Sequence, residues 1–385
     1  MKVIFAESHN LDRPDPLGSH QYIRLFKEDG HDCLWLGPAL SPLHLFKPDA
    51  LNRHRFRIWR HGGHRVDGID WLVPFSFLFY YNLPFLRSNF IGRNQYRFCL
   101  PALNNKLKNS GFYPADLLWC AGPVALSLLD LIPHNLSCYR LADRLDKFRR
   151  IPPGVGELQK EMIRRVDFVL ATSQSLLDWV REVRTEEVYY LPNGVEDHFF
   201  EAALEKPVDF PADGKPVAVY LGTLDTRFDL ETLTHGVLAM KDLHFLLIGP
   251  LTDKNLKPAL QILLKEKNIT WLGPRAHRLA PAYLQQASLG LIPFRLNDLT
   301  EAVNPIKYYE YLACGLPVVA PPLRELGAMR GPLYAYRNRE GFVVALREAL
   351  RAGAKEKEAG RNFARQQTWR NRFEDIKAIM TRHQH

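Results

Sequence analysis

Lys307 and Glu310 stand three residues apart in the run Asn304-Pro305-Ile306-Lys307-Tyr308-Tyr309-Glu310-Tyr311-Leu312-Ala313-Cys314-Gly315-Leu316-Pro317. The run carries its own helix punctuation. Asn304 suits an N-cap and Pro305 the first helical position, while Gly315 ends a helix and Pro317 bars its continuation. The spacing then puts Lys307 and Glu310 on one face near the helix start. Free N–H groups and the helix dipole favour an anion there. A lysine adds a full charge suited to phosphate, and a carboxylate one turn on can accept from a pair of ribose hydroxyls. That chemistry is nucleoside diphosphate binding. A surface helix with an i,i+3 ion pair has the same spacing.

The elements that would position these groups alternate along the chain. Val3 to Ala6 is a buried strand, Ser19 to Lys27 has helical character, and Cys33 to Leu36 is a second strand, which is a βαβ opening. No GxGxxG follows the first strand, which counts against a dinucleotide-binding oxidoreductase. Later strands are read at 117–120, 138–141, 166–173 and 188–191. A cluster of Pro192, Asn193 and Gly194 then marks a boundary. The second half restarts at Val217 to Leu221 with a Gly222-Thr223 turn, and adds strands at 245–250, 269–273, 289–294 and 318–320. In parallel sheets ligands bind at the carboxyl ends of strands. Asp143, just past the Cys138-Tyr139-Arg140-Leu141 strand, is therefore placed to face a cleft, or else is the N-cap of the next helix.

Several stretches carry a family resemblance. NPIKYYEYLACGLPVVA resembles the donor-site signature of GT-B glycosyltransferases that use nucleotide-diphosphate sugars. LGTLDTRFDLETL resembles the loop that meets the donor diphosphate from the opposite side. SHNLDRPDPLGSHQYIRLF resembles the acceptor-side opening of such enzymes. SCYRLADRL, a helix and then VDFVLATSQSL are similar to the xanthan glucuronosyltransferase type, and PNGVE-x-x-x-F resembles the turn that closes the first domain.

The resemblance implies an α/β, GT-B fold: two Rossmann-like parallel-sheet domains facing across a cleft. Residues 1–205 would bind acceptor and 206–361 donor, with the helix of 362–385 returning to the first domain. It puts Lys307 on the diphosphate and Glu310 on the ribose. Further donor contacts fall on Gly222, Thr223, Leu224, Arg227, Asn304 and Ile306, with Phe294 lining the base pocket. Acceptor contacts fall on His9, Gly18, Ser19 and His20. The base role falls on Asp143, with Asp146 the nearby rival. Where the family often has an acidic residue eight before the Glu, this chain has Ala302, and Glu301 is one position off.

The implied activity is transfer of a hexosyl or glycuronosyl group from a donor such as a UDP-sugar to a hydroxyl of a glycan or lipid-linked acceptor, with no metal and no further cofactor. Two alternatives stay open: a sugar-nucleotide epimerase, and a non-catalytic sugar-nucleotide-binding partner in polysaccharide assembly.

Composition bounds the rest. The 385 residues suffice for two domains, and 46% hydrophobic with 24% charged residues is ordinary for a globular protein. A net charge of +9 suits nucleic acid, an anionic membrane or phosphorylated substrates. Without a basic tail or an aromatic RNA-reading motif, nucleic acid is not expected. Five scattered cysteines with no CxxC read as reduced thiols of a cytoplasmic protein. The aromatic segment from Phe75 to Phe90, broken by Pro84 and followed by Arg93, Arg97 and Lys106, is too short to span a bilayer. It suits a peripheral contact with an anionic membrane surface.

Overall fold

The computed structural model describes residues 1–13, 16–46, 49–148, 151–201, 205–327 and 331–383. The chain divides into two compact units, one of Met1–Pro192 with Phe373–His385 and one of Asn193–Arg372. The division falls inside the Pro192-Asn193-Gly194 turn.

The first unit is built on an eight-stranded sheet: β1 Lys2–Ala6, β2 Asp32–Leu36, β3 His64–Val66, β4 Ile69–Leu72, β5 Ala115–Cys120, β6 His134–Leu141, β7 Phe168–Ala171 and β8 Val188–Tyr190. Their order is β3-β4-β2-β1-β5-β6-β7-β8. β3 runs antiparallel to β4, and the other pairings are parallel. Val3, Ile4 and Phe5 are wholly buried, as a strand covered on both faces requires. Phe5 stacks on Trp119 of β5, with ring centroids 4.9 Å apart. The strand order reverses between β1 and β5, so the carboxyl ends of these two parallel strands form the switch point where α/β sheets bind ligands. The C-terminal segment joins this unit: Phe373 meets Phe26 edge to face at 4.8 Å, and His383 pairs with Glu187 at 2.9 Å.

The second unit has six parallel strands: β9 Val217–Leu221, β10 His244–Ile248, β11 Ile269–Trp271, β12 Leu289–Leu291, β13 Val318–Ala320 and β14 Leu333–Ala335. Their order, β11-β10-β9-β12-β13-β14, is the doubly wound nucleotide-binding arrangement with its switch point between β9 and β12. Tyr220, Tyr308, Tyr309 and Tyr311 are all buried in its core. Tyr311 ties the signature helix to the switch point: its hydroxyl accepts from Leu221 N–H at 2.9 Å and donates to Leu291 O at 3.1 Å.

The segment after β4 divides more finely than its aromatic composition predicts. Phe75 and Tyr80 are buried, and Tyr80 N–H is bound to Gln95 Oε1 at 3.0 Å. Phe77, Tyr81, Leu83, Phe85 and Phe90 are exposed, with Phe85 at 92% and Phe90 at 62%. All five cysteines are free thiols. Among the described residues no helix is long and apolar enough to cross a membrane.

Candidate functional site

In the second unit, the helix Ile306–Ala313 starts one residue later than its sequence predicts. Pro305 occupies the N-cap position, and Asn304 is not a cap. Asn304 is buried in a network instead. Its Oδ1 accepts from Asn193 N–H at 3.2 Å, and its Nδ2 donates to Tyr309 Oη at 3.0 Å and to Glu325 Oε1 at 2.9 Å. Asn304 thus braces the start of the helix, which tertiary partners rather than local cap chemistry require.

Lys307, in the first turn, is half-buried. Its Nζ lies 5.0 Å from the Phe294 ring centre and 5.4 Å from that of Tyr220. The Arg227 guanidinium lies 5.7 Å from the same Phe294 ring. Two cations therefore share one aromatic floor. Burial, and next the neighbouring Arg227, pull the Lys307 ammonium down from 10.5 to about 8. Asp225 holds Arg227 in place through Nε at 3.0 Å.

Gly222 faces Lys307 from the end of β9, at a φ of 153° that favours glycine. A Cβ there would stand 3.0 Å from Lys307 Cε and 3.1 Å from Nζ. The missing side chain leaves space for an anion next to the ammonium. Thr223 lies in the same turn, and its carbonyl accepts from Tyr220 Oη at 2.8 Å. Leu224 is wholly buried, so its side chain serves the core. Ile306 is half-buried at the helix start. Asp229 caps the following helix Leu230–Ala239, accepting from Thr232 N–H at 3.1 Å. Glu301 accepts from Arg324 N–H at 3.2 Å, which occupies one of its oxygens.

Glu310, one turn beyond Lys307, is buried and meets His277 Nε2 at 3.2 Å. His277 comes from the loop after β11 and was not among the residues expected here. Only tertiary folding brings it to Glu310.

In the first unit the acceptor-side candidates gather at the end of β1. Gly18 and Ser19 are buried in the first turn of the helix Gly18–Glu28. His20 is also buried, and both of its ring nitrogens are engaged by backbone: Nδ1 accepts from Leu17 N–H at 3.2 Å and Nε2 bonds Asn10 O at 2.9 Å. Its imidazole is a staple between loop and helix, with no nitrogen left for an acceptor. His9 is exposed on that loop, and its carbonyl accepts from Trp35 Nε1 at 2.9 Å.

A residue that the sequence did not single out stands among them. Glu7 follows β1 directly and is only 7% exposed. Its Oε1 is buried without a hydrogen-bond partner. Burial pushes its carboxyl up from 4.5 to about 7, against the opposing pull of a hydrogen bond from Ser19 and the charges of Arg140 and Arg13. The available signal was positional: the rule that singles out Asp143 past β6 applies equally to Glu7 past β1.

Asp143 lies two residues beyond β6 and is half-buried. The short turn Leu145–Lys147 takes Arg144, the residue after Asp143, as its N-cap. Asp146 is committed elsewhere. Arg144 reaches it through Nε at 2.8 Å and Nη2 at 2.6 Å, and this pairing holds its carboxyl below the usual range.

Residues 215–352 match the family model of Glycosyl transferases group 1. Over 244 residues the chain is 31% identical to a Bacillus subtilis protein named as a teichuronic acid biosynthesis glycosyltransferase, TuaH. The match spans 60% of this chain and 60% of that protein's length. Two solved structures share the fold across nearly the whole chain. One is sucrose-phosphate synthase from Thermosynechococcus elongatus, with TM-score 0.70, 15% identity and coverage of 99% and 98% of the two chains. The other is HepE of Anabaena in complex with UDP and glucose, with TM-score 0.67, 16% identity and 99% coverage of both. The chain thus has the GT-B fold of two Rossmann-like parallel-sheet units, and residues 215–352 are similar to the group 1 glycosyl transferases.

Proposed function

We propose that this protein is a glycosyltransferase that moves a hexosyl or glycuronosyl group from a nucleotide-diphosphate sugar, a UDP-sugar in the first instance, to a hydroxyl of a glycan or lipid-linked acceptor in bacterial surface polysaccharide synthesis. The observation that carries this reading is the pairing of Lys307 and Arg227 over Phe294, opposite Gly222, with Glu310 one turn further along the same helix. The two cations and the helix N-terminus suit the charge that develops on a departing diphosphate, so the chemistry needs no metal at that point. Glu310 takes the ribose. Asp143 takes the proton of the attacking hydroxyl, which makes the reaction inverting. The name of TuaH supports a place in cell-surface polysaccharide assembly, and the UDP complex of HepE supports the donor class.

Lys307→Ala is expected to weaken UDP binding about ten- to a hundredfold in calorimetry, because a charge-assisted hydrogen bond contributes roughly 1.5–3 kcal/mol. The wild-type affinity also has a defined pH dependence. Lys307 is charged below about pH 8 and loses its proton as pH rises through that value. Affinity should therefore hold up to pH 8 and then fall by up to about tenfold per pH unit. Lys307→Ala should flatten that slope. An unchanged affinity in the variant, or the same slope, removes Lys307 from the diphosphate.

The protein works at the cytoplasmic face of a membrane, docked through the exposed side chains of Phe77, Tyr81, Phe85 and Phe90 with Arg87 beside them. It should co-sediment with anionic phospholipid vesicles at low salt and release as salt rises and screening shortens from about 10 Å at 0.1 M to about 3 Å at 1 M. Replacing Phe77, Phe85 and Phe90 by Ser should abolish co-sedimentation. Tyr80, being buried, should matter to folding and not to vesicles. Retention of the triple variant on vesicles would exclude the patch as the anchor.

A further inference from the structure

Glu196, His198 and His277 form a cluster that the donor chemistry does not use. Glu196 and His198 flank the start of the short turn Asp197–Phe200, and His277 opens the turn His277–Leu279 after β11. Buried Phe199 lies under both histidines, its ring centre 4.6 Å from that of His198 and 5.5 Å from that of His277. The Glu196 carboxylate faces His277 Nδ1 with Oε1 at 3.4 Å and His198 Nδ1 with Oε2 at 3.5 Å. One ligand atom from each of the three residues lies within 4.8 Å of the others. Among the described residues this is the one group of three or more potential metal ligands so arranged.

We infer that Glu196, His198 and His277 bind a divalent transition metal ion of the zinc class, with at least one coordination position left open. Bonds of about 2.0–2.1 Å at tetrahedral angles place neighbouring ligand atoms about 3.3–3.4 Å apart. The separations from Oε1 to His277 and from Oε2 to His198 are each close to that value, and one ligand atom from each residue lies within 4.8 Å of the others, so the two rings need to close on the carboxylate and toward each other to complete the set. Two imidazoles and one carboxylate are the donor types that zinc and its neighbours prefer. The three side chains are between 21% and 26% exposed, which lets an ion enter from solvent.

The outer side of the cluster fits the same reading. A histidine that binds metal through one nitrogen usually gives the N–H of the other to a carboxylate, which fixes its tautomer. His277 does this: Nδ1 faces Glu196 and Nε2 faces Glu310 at 3.2 Å. An ion at Nδ1 would hold the proton on Nε2 and thereby orient one Glu310 oxygen, leaving the other for a ligand hydroxyl. The metal stands behind the ribose carboxylate and not at the diphosphate, so it acts on donor positioning. That link to the ribose rests on the proposed donor site, whereas the metal site itself does not.

The test is a calorimetric titration of Zn²⁺ into the full-length protein stripped with chelator, without nucleotide. One equivalent should bind, and His198→Ala and Glu196→Gln should each weaken it at least tenfold. Glu310→Gln, which removes the outer carboxylate, should weaken it by about 10- to 100-fold. Lys307→Ala should leave it unchanged. Thermal unfolding without metal checks that the variants fold, and an anomalous scattering peak at the zinc edge between the three side chains locates the ion independently. Absence of a one-equivalent site, or binding that survives the combined Glu196→Gln and His198→Ala changes, overturns the inference. Either result means that the histidines only hydrogen-bond with Glu196. A positive result in a protein that fails to bind UDP would leave the metal site standing while removing the donor reading.

Discussion

Asp143→Asn should lower turnover by about 100- to 10,000-fold, the range that a positioned general base contributes, while UDP affinity stays nearly unchanged. The second half of that expectation follows from placement. Asp143 belongs to the unit Met1–Pro192, whereas Lys307, Arg227, Gly222 and Glu310 all belong to Asn193–Arg372. The first half follows from its place two residues past the carboxyl end of β6. A capping aspartate would tolerate asparagine, which caps about as well, and the N-cap of the turn after Asp143 is Arg144. Its rival Asp146 is held by two bonds from Arg144, whose guanidinium also lies 4.2 Å from the Trp179 ring centre, and its depressed carboxyl pKa makes it a poor proton acceptor. The measurement is UDP release from a UDP-sugar panel with a cell-envelope extract as the acceptor source. Turnover within a few-fold of the parent would reject Asp143 as base.

The contrast between Asp143 and Glu310 shows what the sequence could and could not disclose. The strands were legible because parallel sheets bury both faces, so runs such as Val3-Ile4-Phe5-Ala6 and Val217-Ala218-Val219-Tyr220-Leu221 advertise themselves. Lys307 and Glu310 were legible because one helix turn sets their relation, whatever the rest of the chain does. Where a role depends on a distant partner, local reading had no purchase. Asn304 has the composition of a cap, yet Asn193, 111 residues away, and Glu325 draw it into a network. Tyr80 sits in an aromatic run that reads as surface, yet it is buried, with its backbone held by Gln95. His277 reaches Glu310 and Glu196 from a loop with no signature of its own. Glu7 escaped for another reason. A single carboxylate after a strand is unremarkable until its burial is known.

That burial leads to the second large effect. Glu7→Gln should stabilise the protein at pH 8 by roughly 3 kcal/mol, an amount set by the displacement of its carboxyl from 4.5 to about 7. The sign follows from proton binding. Because the folded state holds the Glu7 proton to higher pH than the unfolded chain does, the unfolded state binds fewer protons between about pH 4.5 and 7. Stability attributable to this group therefore falls as pH rises through that window, and the deficit persists above it. Glutamine keeps the shape of the protonated acid and cannot ionise, so the variant should lose the deficit. Ser19, Arg140 and Arg13 face Glu7 and favour its charged form, yet they do not offset the desolvation of a carboxylate whose Oε1 has no partner. For a unit of this size the gain corresponds to a rise of roughly 6–12 °C in Tm at pH 8. At pH 4.5 the parent and variant should unfold within a few degrees of each other. Thermal unfolding of both proteins from pH 4.5 to 8.5 measures the difference. A variant no more stable than the parent at pH 8 would show that Glu7 is solvated in solution.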